Sequence, residues 1–208
     1  MRSTYYDRFY AEGGWKFNYE KERALMSKLV EKAGLAPKAS ILELGCGQGF
    51  HSKLLHDLGF EVTGNELSEA GIAHAKANYP GPTFIQGDAK EVIEKWPPHS
   101  LDCVLVRGMS WFHYAFFDPA RRDLPALMKI IASIIKPRGV FILTIVTDFS
   151  GTTRSSNTHN HEWADFDALL TQIGTIEHKE DIRGRTLNSP ADIKPDGKGI
   201  TCIVRLPS

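Results

Sequence analysis

The stretch "ASILELGCGQGF", residues 39–50, decides how this chain folds. Its first six residues form an apolar run broken by one acid, Glu43, and a run this short, closed by glycine, reads as a strand buried on both faces. Gly45, Gly47 and Gly49 follow at alternate positions. Glycine reaches positive φ freely and lets another group approach the backbone. His51 to Leu58 then reads as a helix that stops at Gly59. The unit is strand, glycine turn, helix.

The same alternation extends in both directions. Upstream, Tyr19 to Ala33 places Leu25, Leu29 and Ala33 at helical spacing, beside Met26 and Val30, with Gly34 as the stop. Downstream, "FEVTGN" (60–65), "PTFIQG" (82–87), "LDCVLV" (101–106) and "GVFILTIV" (139–146) read as strands. Ser68 is an N-cap for a helix running to about Asn78, and Leu124–Ile135 and Trp163–Ile173 are two more helices. Two closing strands, near 175–182 and 199–206, are separated only by the turn-rich "NSPADIKPDGKG". Strands alternating with helices predict an α/β fold, a mainly parallel sheet with helices on both faces. The last two strands have no crossover helix between them, so one of them is expected to run antiparallel. The 208 residues suit a single domain, with 1–36 as a helical cover or lid and 37–208 as the core.

Bulk properties exclude several functions. Formal net charge is zero, so nothing global draws the chain to nucleic acid or to an anionic membrane. Cys46, Cys103 and Cys202 are few, odd in number and widely spaced, which favours buried or loop thiols over a disulfide or zinc framework. The opening "MRSTYYDRFY" lacks the apolar stretch of a signal peptide, and "VFILTIV" is far too short to span a bilayer. A cytoplasmic location without membrane attachment is expected.

Ligands of such sheets bind at the carboxyl ends of the strands. The glycine turn there can be a tight turn with no ligand or the cradle of one, and its context favours the cradle. It is not a dinucleotide fingerprint, because the third glycine comes one residue early and Phe50 holds the required position. No Lys-Ser or Lys-Thr pair makes it a P-loop. Glu43 would repel a pyrophosphate and attract an amine. Glu66, ending the second strand in "GNELS", can accept from both hydroxyls of a ribose, and Asp88, ending the third in "IQGDA", can accept from an exocyclic amine. Any one of these acids can equally be a helix N-cap or a solvated loop charge. Amine, ribose and adenine-type amine, in that order, describe S-adenosylmethionine.

At this point the chain resembles the class I S-adenosylmethionine-dependent methyltransferases. "ILELGCGQG", "GNELS", "GDA" and "IIKPRGVFILT" look like that family's successive motifs, over about residues 35–147. The resemblance implies a seven-stranded sheet in the order 3-2-1-4-5-7-6 with strand 7 reversed. It places Gly45, Cys46 and Gly47 along the methionine and ribose, and Glu43 near the amino end. Glu66 would hold the ribose, Leu67 would contact adenine, and Asp88 and Ala89 would meet the adenine edge. Two positions depart from the pattern: Asn65, where the family usually has an apolar residue, and Arg138, where glycine is common. Neither is expected to touch the chemistry.

The fourth strand runs into "RGMSWFHYAFF", residues 107–117, at the place the fold turns toward the transferred methyl group. The family's branch for nucleobase amines carries [DN]PP[YFW] there, so "RGMSW" speaks against that substrate. Arg107 is expected to line the cofactor. Trp111, His113 and Tyr114 are the candidate acceptor wall, with His113 able to take a proton near neutral pH. Each ring alone is better explained as core, but the position of the whole segment at the strand end favours a pocket wall; Phe116 and Phe117 are read as core. "TYYDRFYAEGGWKF" (4–17) resembles the lid of small-molecule methyltransferases, with Tyr6 and Trp15 as its cofactor contacts. The polar loop "DFSGTTRSSNTHNH" (148–161) is expected to be mobile and near the acceptor. Its His159 and His161 alone are weak evidence for a metal, and none is expected.

These readings predict transfer of a methyl group to a small-molecule acceptor. A methyltransferase for RNA or protein is the nearest rival, and would need a basic mouth to which Arg183, Arg185, Lys194 and Lys198 could contribute. A non-catalytic cofactor-binding module is the rival from another class. A dehydrogenase is remote, given Phe50 and Glu43.

Overall fold

The computed structural model describes residues 2–118, 120, 122–154 and 158–208, the side chains of 2–4 excepted. Its strands are β1 (Ser40–Leu44), β2 (Glu61–Glu66), β3 (Thr83–Gln86), β4 (Leu101–Arg107), β5 (Ile135–Ile145), β6 (Thr175–Glu180) and β7 (Ile200–Arg205). They form one seven-stranded sheet in the order β3-β2-β1-β4-β5-β7-β6. β7 runs antiparallel to both β5 and β6, and the pairs from β3 to β5 are parallel. Both the expected order and the expected reversal are present.

The strand period of two divides the core. Leu42, Leu44, Val104, Val106, Phe141 and Leu143 pack on one face, under α6 (Leu124–Ile134) and α7 (Trp163–Leu170). Ile41, Cys103, Leu105, Val140 and Ile142 pack on the other, under α2 (Tyr19–Lys32) and α3 (Phe50–Asp57). All three cysteines are buried and free. α4 (Glu69–Asn78) starts at Ser68, whose hydroxyl accepts from Gly71 N–H at 3.1 Å.

Two helices carried no clear sequence signal. α1 (Arg2–Ala11) lies against α4, and α5 (Ala89–Lys95) is only seven residues long. Asp88 caps α5 by accepting from Lys90 N–H at 2.8 Å. Among the described residues no helix is long and apolar enough to cross a membrane.

β5 begins earlier than the apolar run suggests, because Ile135 already pairs with Leu101 before a register shift. Arg138 sits in that irregular stretch at φ 59°. Left-handed backbone costs a residue with a Cβ about 1–2 kcal/mol, and glycine avoids that cost. Glycine also loses more chain entropy on folding, so Arg138→Gly is expected to stabilise the protein by a net of roughly 0.5–1 kcal/mol. A thermal melt of the variant against the parent checks the sign; a lower midpoint would contradict the account.

Candidate active site

One cavity of about 210 Å³ opens at the carboxyl ends of the central strands. Gly45 after β1, Asn65 and Glu66 at the end of β2, Leu67, and Asp88 with Ala89 after β3 form its inner side. Gly108, Met109, Ser110 and Trp111, from the segment after β4, form the opposite side, with Arg122 beyond them. Tyr6 and Tyr10 of α1 complete the lining.

The glycine turn has three distinct jobs. Gly45, at φ 73°, faces Met109, whose Cγ would stand 3.2 Å from any Cβ added there. Gly47, at φ 56°, lies under Tyr10, whose hydroxyl would be 2.7 Å from such a Cβ. Gly49 faces inward, against Ala75 and Phe84. Cys46 does not turn its side chain to the cavity; it is buried in a cluster with Ile72, Ala75 and Phe84.

Glu66 is nearly buried and already held by the loop it faces. One oxygen accepts from Gly47 N–H at 3.0 Å and the other from Ser68 N–H at 2.9 Å. Burial pushes its carboxyl above the usual range, and the N–H groups of Ser68, Gly47 and Leu67 work in the opposite direction. Each oxygen keeps a second lone pair for a ligand hydroxyl. Asp88 both caps α5 and reaches the cavity wall, so the two readings open for it are compatible.

Asn65 corrects the expectation that this departure is remote from the chemistry. It lines the cavity, and its amide nitrogen donates to the carbonyls of Ile85 and Gly87 at 3.2 and 3.1 Å. Its Oδ1 is buried and, among the described residues, meets no donor. A buried acceptor without a donor is costly, and a ligand donor relieves it. The family's usual apolar residue hid this from sequence reasoning.

Glu43 and Arg107 share the other face of the sheet, since Glu43 alternates with Leu42 and Leu44, and Arg107 with Val106. Glu43 is buried and accepts from Ser52 Oγ at 2.5 Å. The Arg107 guanidinium lies 3.4 Å from Glu22 of α2, and His51 Nε2 lies 3.2 Å from the same carboxylate. Neither Glu43 nor Arg107 is among the residues lining the cavity. They form, with Glu22, His51 and Ser52, a partly buried polar cluster on that face of the sheet.

Burial raises the Glu43 carboxyl to about 7, against the pull of the Ser52 hydrogen bond and the Arg107 charge. Its folded value therefore lies above its ordinary 4.5, so the stability linked to its proton is full below that value and lost as the pH rises to about 7. Glu43→Gln is expected to flatten this part of the profile and to melt higher than the parent relative to acid conditions. Melting midpoints between pH 4.5 and 8 test it; parallel profiles would refute it.

The expected acceptor wall is divided. Trp111 is buried and lines the cavity, with the Arg122 guanidinium 4.8 Å from its ring centroid. Phe112 and Phe116 are core, but Phe117 is 48% exposed, so core was the wrong expectation for it. His113 and Tyr114 are half-buried and do not line this cavity. Of the two lid aromatics, Tyr6 reaches the cavity, whereas Trp15 is 65% exposed and packs edge-on to Phe9. Tyr10, in the same segment, was the lid residue to find: it is buried against Gly47 and Gly71, and Asp7 beside it accepts from Ser68 Oγ at 2.6 Å. Only its spacing of four from Tyr6 on one helix face could have flagged it.

The 148–161 loop, whose residues 155–157 lie outside the described ones, is tied down elsewhere. Thr147 Oγ1 donates to the His161 carbonyl at 2.9 Å, Arg154 Nε to Asn160 Oδ1 at 2.8 Å, and His159 N–H to the His113 carbonyl at 2.7 Å.

These residues fit S-adenosylmethionine by the chemistry of their donors and acceptors: carboxylates at Glu66 and Asp88, an unpaired buried acceptor at Asn65, and glycine backbone at Gly45 and Gly108. Residues 42–143 match the family model described as a methyltransferase domain. A putative methyltransferase of Bacillus subtilis, YqeM, is 30% identical over 126 residues, covering 59% of this chain and 48% of its own. The chain spans between 37% and 64% of the length of this and two other curated relatives it matches. An S-adenosylmethionine-dependent methyltransferase of Clostridium acetobutylicum superposes with a TM-score of 0.68 at 15% identity, covering 100% of this chain and 98% of its own. The [4+2]-cyclase SpnF superposes with a TM-score of 0.72 at 16% identity, covering 99% and 95%. The sheet order and the motif-bearing residues at its strand ends thus agree with the family match: residues 42–143 of this chain are a methyltransferase domain.

Proposed function

We propose that the chain binds S-adenosylmethionine in this cavity and transfers its methyl group to a small-molecule acceptor admitted along Trp111. The observation that carries the reading is the convergence of Glu66, Asp88 and Asn65, whose buried Oδ1 meets no donor among the described residues, on one cavity opposite Trp111. When bound, the cofactor supplies an electrophilic methyl group on a sulfonium. Glu66 accepts from the ribose hydroxyls, while Asp88 and Asn65 offer acceptors to the adenine amine. Gly45 and Gly108 leave room for the methionine portion, and Leu67 and Ala89 pack the adenine. Tyr6 and Tyr10 cover this assembly from α1, the part of the proposed lid or cover that reaches the cofactor, while α2 packs with the core on the other face of the sheet.

Alignment and exclusion of water are the protein's share of such a displacement. Trp111 holds the acceptor plane, and Arg122 on the same wall suits an acceptor with an acidic group. His113, two residues on from Trp111, is the proton acceptor we assign to this segment, because one nitrogen of a neutral imidazole is an acceptor. Glu43, through Ser52 and Arg107, stiffens the turn from behind.

We favour a small-molecule acceptor over RNA or protein because two of the four residues named for a basic mouth, Arg183 and Arg185, are engaged within their own loop. Arg185 is paired with Asp181 at 2.6 Å and Asp196 at 2.8 Å, and Arg183 donates to the Asp196 backbone carbonyl. Because the fold also serves a cyclase, the reaction needs its own test. Calorimetry with S-adenosylmethionine and its demethylated product examines binding, and absence of both would sink the reading. With an acceptor found in a small-molecule panel, Trp111→Ala and His113→Ala are each expected to lower turnover by about 100-fold or more, the lower end of what general acid–base and orientation effects supply. Cofactor affinity should stay within a few-fold. Unchanged turnover in both variants would return the segment to a purely structural role.

A further inference from the structure

Away from the cofactor cavity, three side chains converge between the 148–161 loop and the first turn of α7. One ligand atom each from His159, His161 and Asp165 lies within 4.8 Å of the others. His161 is fully buried, its ring stacked 3.6 Å from that of Phe116. Its Nε2 is 2.8 Å from the Phe112 carbonyl. A carbonyl only accepts, so Nε2 carries the proton and Nδ1 carries the lone pair. That Nδ1 is buried and, among the described residues, has no hydrogen-bond partner.

This is the arrangement of a metal-ligating histidine, whose other ring nitrogen donates to a backbone carbonyl and thereby fixes the ligating one. The companions are braced in the same way. Thr153 Oγ1 lies 3.2 Å from His159 Nδ1, and Asp165 accepts from Glu162 N–H at 2.9 Å. His159 and Asp165 are half-buried. Across a tetrahedral zinc, with bonds near 2.0–2.1 Å, ligand atoms stand about 3.3 Å apart. Modest side-chain rotations of His159 and Asp165 close the difference.

We infer that His159, His161 and Asp165 form a binding site for a divalent cation of the zinc type, which clamps the loop after β5 to α7. Two imidazoles and one carboxylate select such an ion over magnesium or calcium, which prefer oxygen-only shells. None of the three residues lines the cofactor cavity, so the ion is structural. Its reach is nonetheless functional. His161 holds the Phe112 carbonyl and His159 N–H holds that of His113, so the ion fixes the turn that carries Trp111.

The test uses the full chain, stripped with a chelator and titrated with zinc chloride by calorimetry. One equivalent is expected to bind, and the melting midpoint should rise with zinc concentration. Cobalt chloride should give the visible absorption of a low-symmetry, four- or five-coordinate site. His159→Ala and Asp165→Asn change half-buried positions and should fold as the parent does by circular dichroism. Each is expected to weaken zinc at least about tenfold, the loss typical of impaired ligation. No saturable zinc binding by the parent, or affinities in both variants within twofold of it, would overturn the site.

Discussion

Replacing Glu66 with alanine is expected to weaken S-adenosylmethionine binding by about 100-fold or more, since each hydrogen bond to a charged acceptor contributes roughly 1.5–3 kcal/mol and two ribose hydroxyls are involved. The loss has a second part that needs no ligand. Gly47 N–H and Ser68 N–H both donate to this carboxylate, and alanine leaves them without an acceptor. Each unpaired buried donor costs about 1–3 kcal/mol, so the empty variant should also melt several degrees lower. Glu66→Asp keeps the charge but withdraws it by one methylene, and should fall between the two in both measurements. Calorimetry and a melt of the same samples separate the parts. Cofactor binding by Glu66→Ala within threefold of the parent, with the fold intact, would refute the assignment of this acid to the ribose.

Gly49→Ala is expected to lower stability by about 3 kcal/mol, the sum of left-handed backbone cost and overpacking. Gly49 sits at φ 82°, and an added Cβ would stand 2.7 Å from Ala75 Cβ and 2.8 Å from the Phe84 ring. Both neighbours are buried and neither is the free end of a flexible side chain. For a chain of this size the midpoint should fall by roughly 6–12 °C. Gly59→Ala is the matched control, with φ 94° and nothing within 4 Å of the added atom. It should show only the backbone share, about 1–2 kcal/mol. A Gly49 variant no less stable than the Gly59 variant would remove the packing argument. The last of the three glycines then differs in kind from Gly45: it joins α3 to α4 and β3 and does not line the cavity.

Much of this was legible because burial on two faces writes itself into composition. "SILEL", "LDCVLV" and "VFILTI" are apolar nearly throughout, and that pattern, with glycine turns and helices between, leaves few sheets to build. The acids at strand ends were legible for the same reason, since a charge closing an apolar strand stands out. Glu66 and Asp88 indeed line the cavity. Arg107 stood out equally, yet its side chain leaves the sheet on the α2 face to meet Glu22, as does Glu43 to meet Ser52. The alternation that sends them there was present in the letters, but which face the cavity occupies was not.

Beyond the strand order, which the family resemblance implied, the chain's own sequence determined the mainly parallel sheet, the reversal of one of its last two strands and the end of the sheet where ligands gather. Those follow from periodicity and connection length, which are local properties. Only the tertiary structure decided which groups meet there. Tyr10 covers Gly47 from 37 positions away in the chain, Arg122 lies over Trp111, and Asp165 approaches His159 and His161 through the first turn of a helix. Such meetings depend on how helices pack across the sheet, and no spacing along the chain encodes the angle at which they do so.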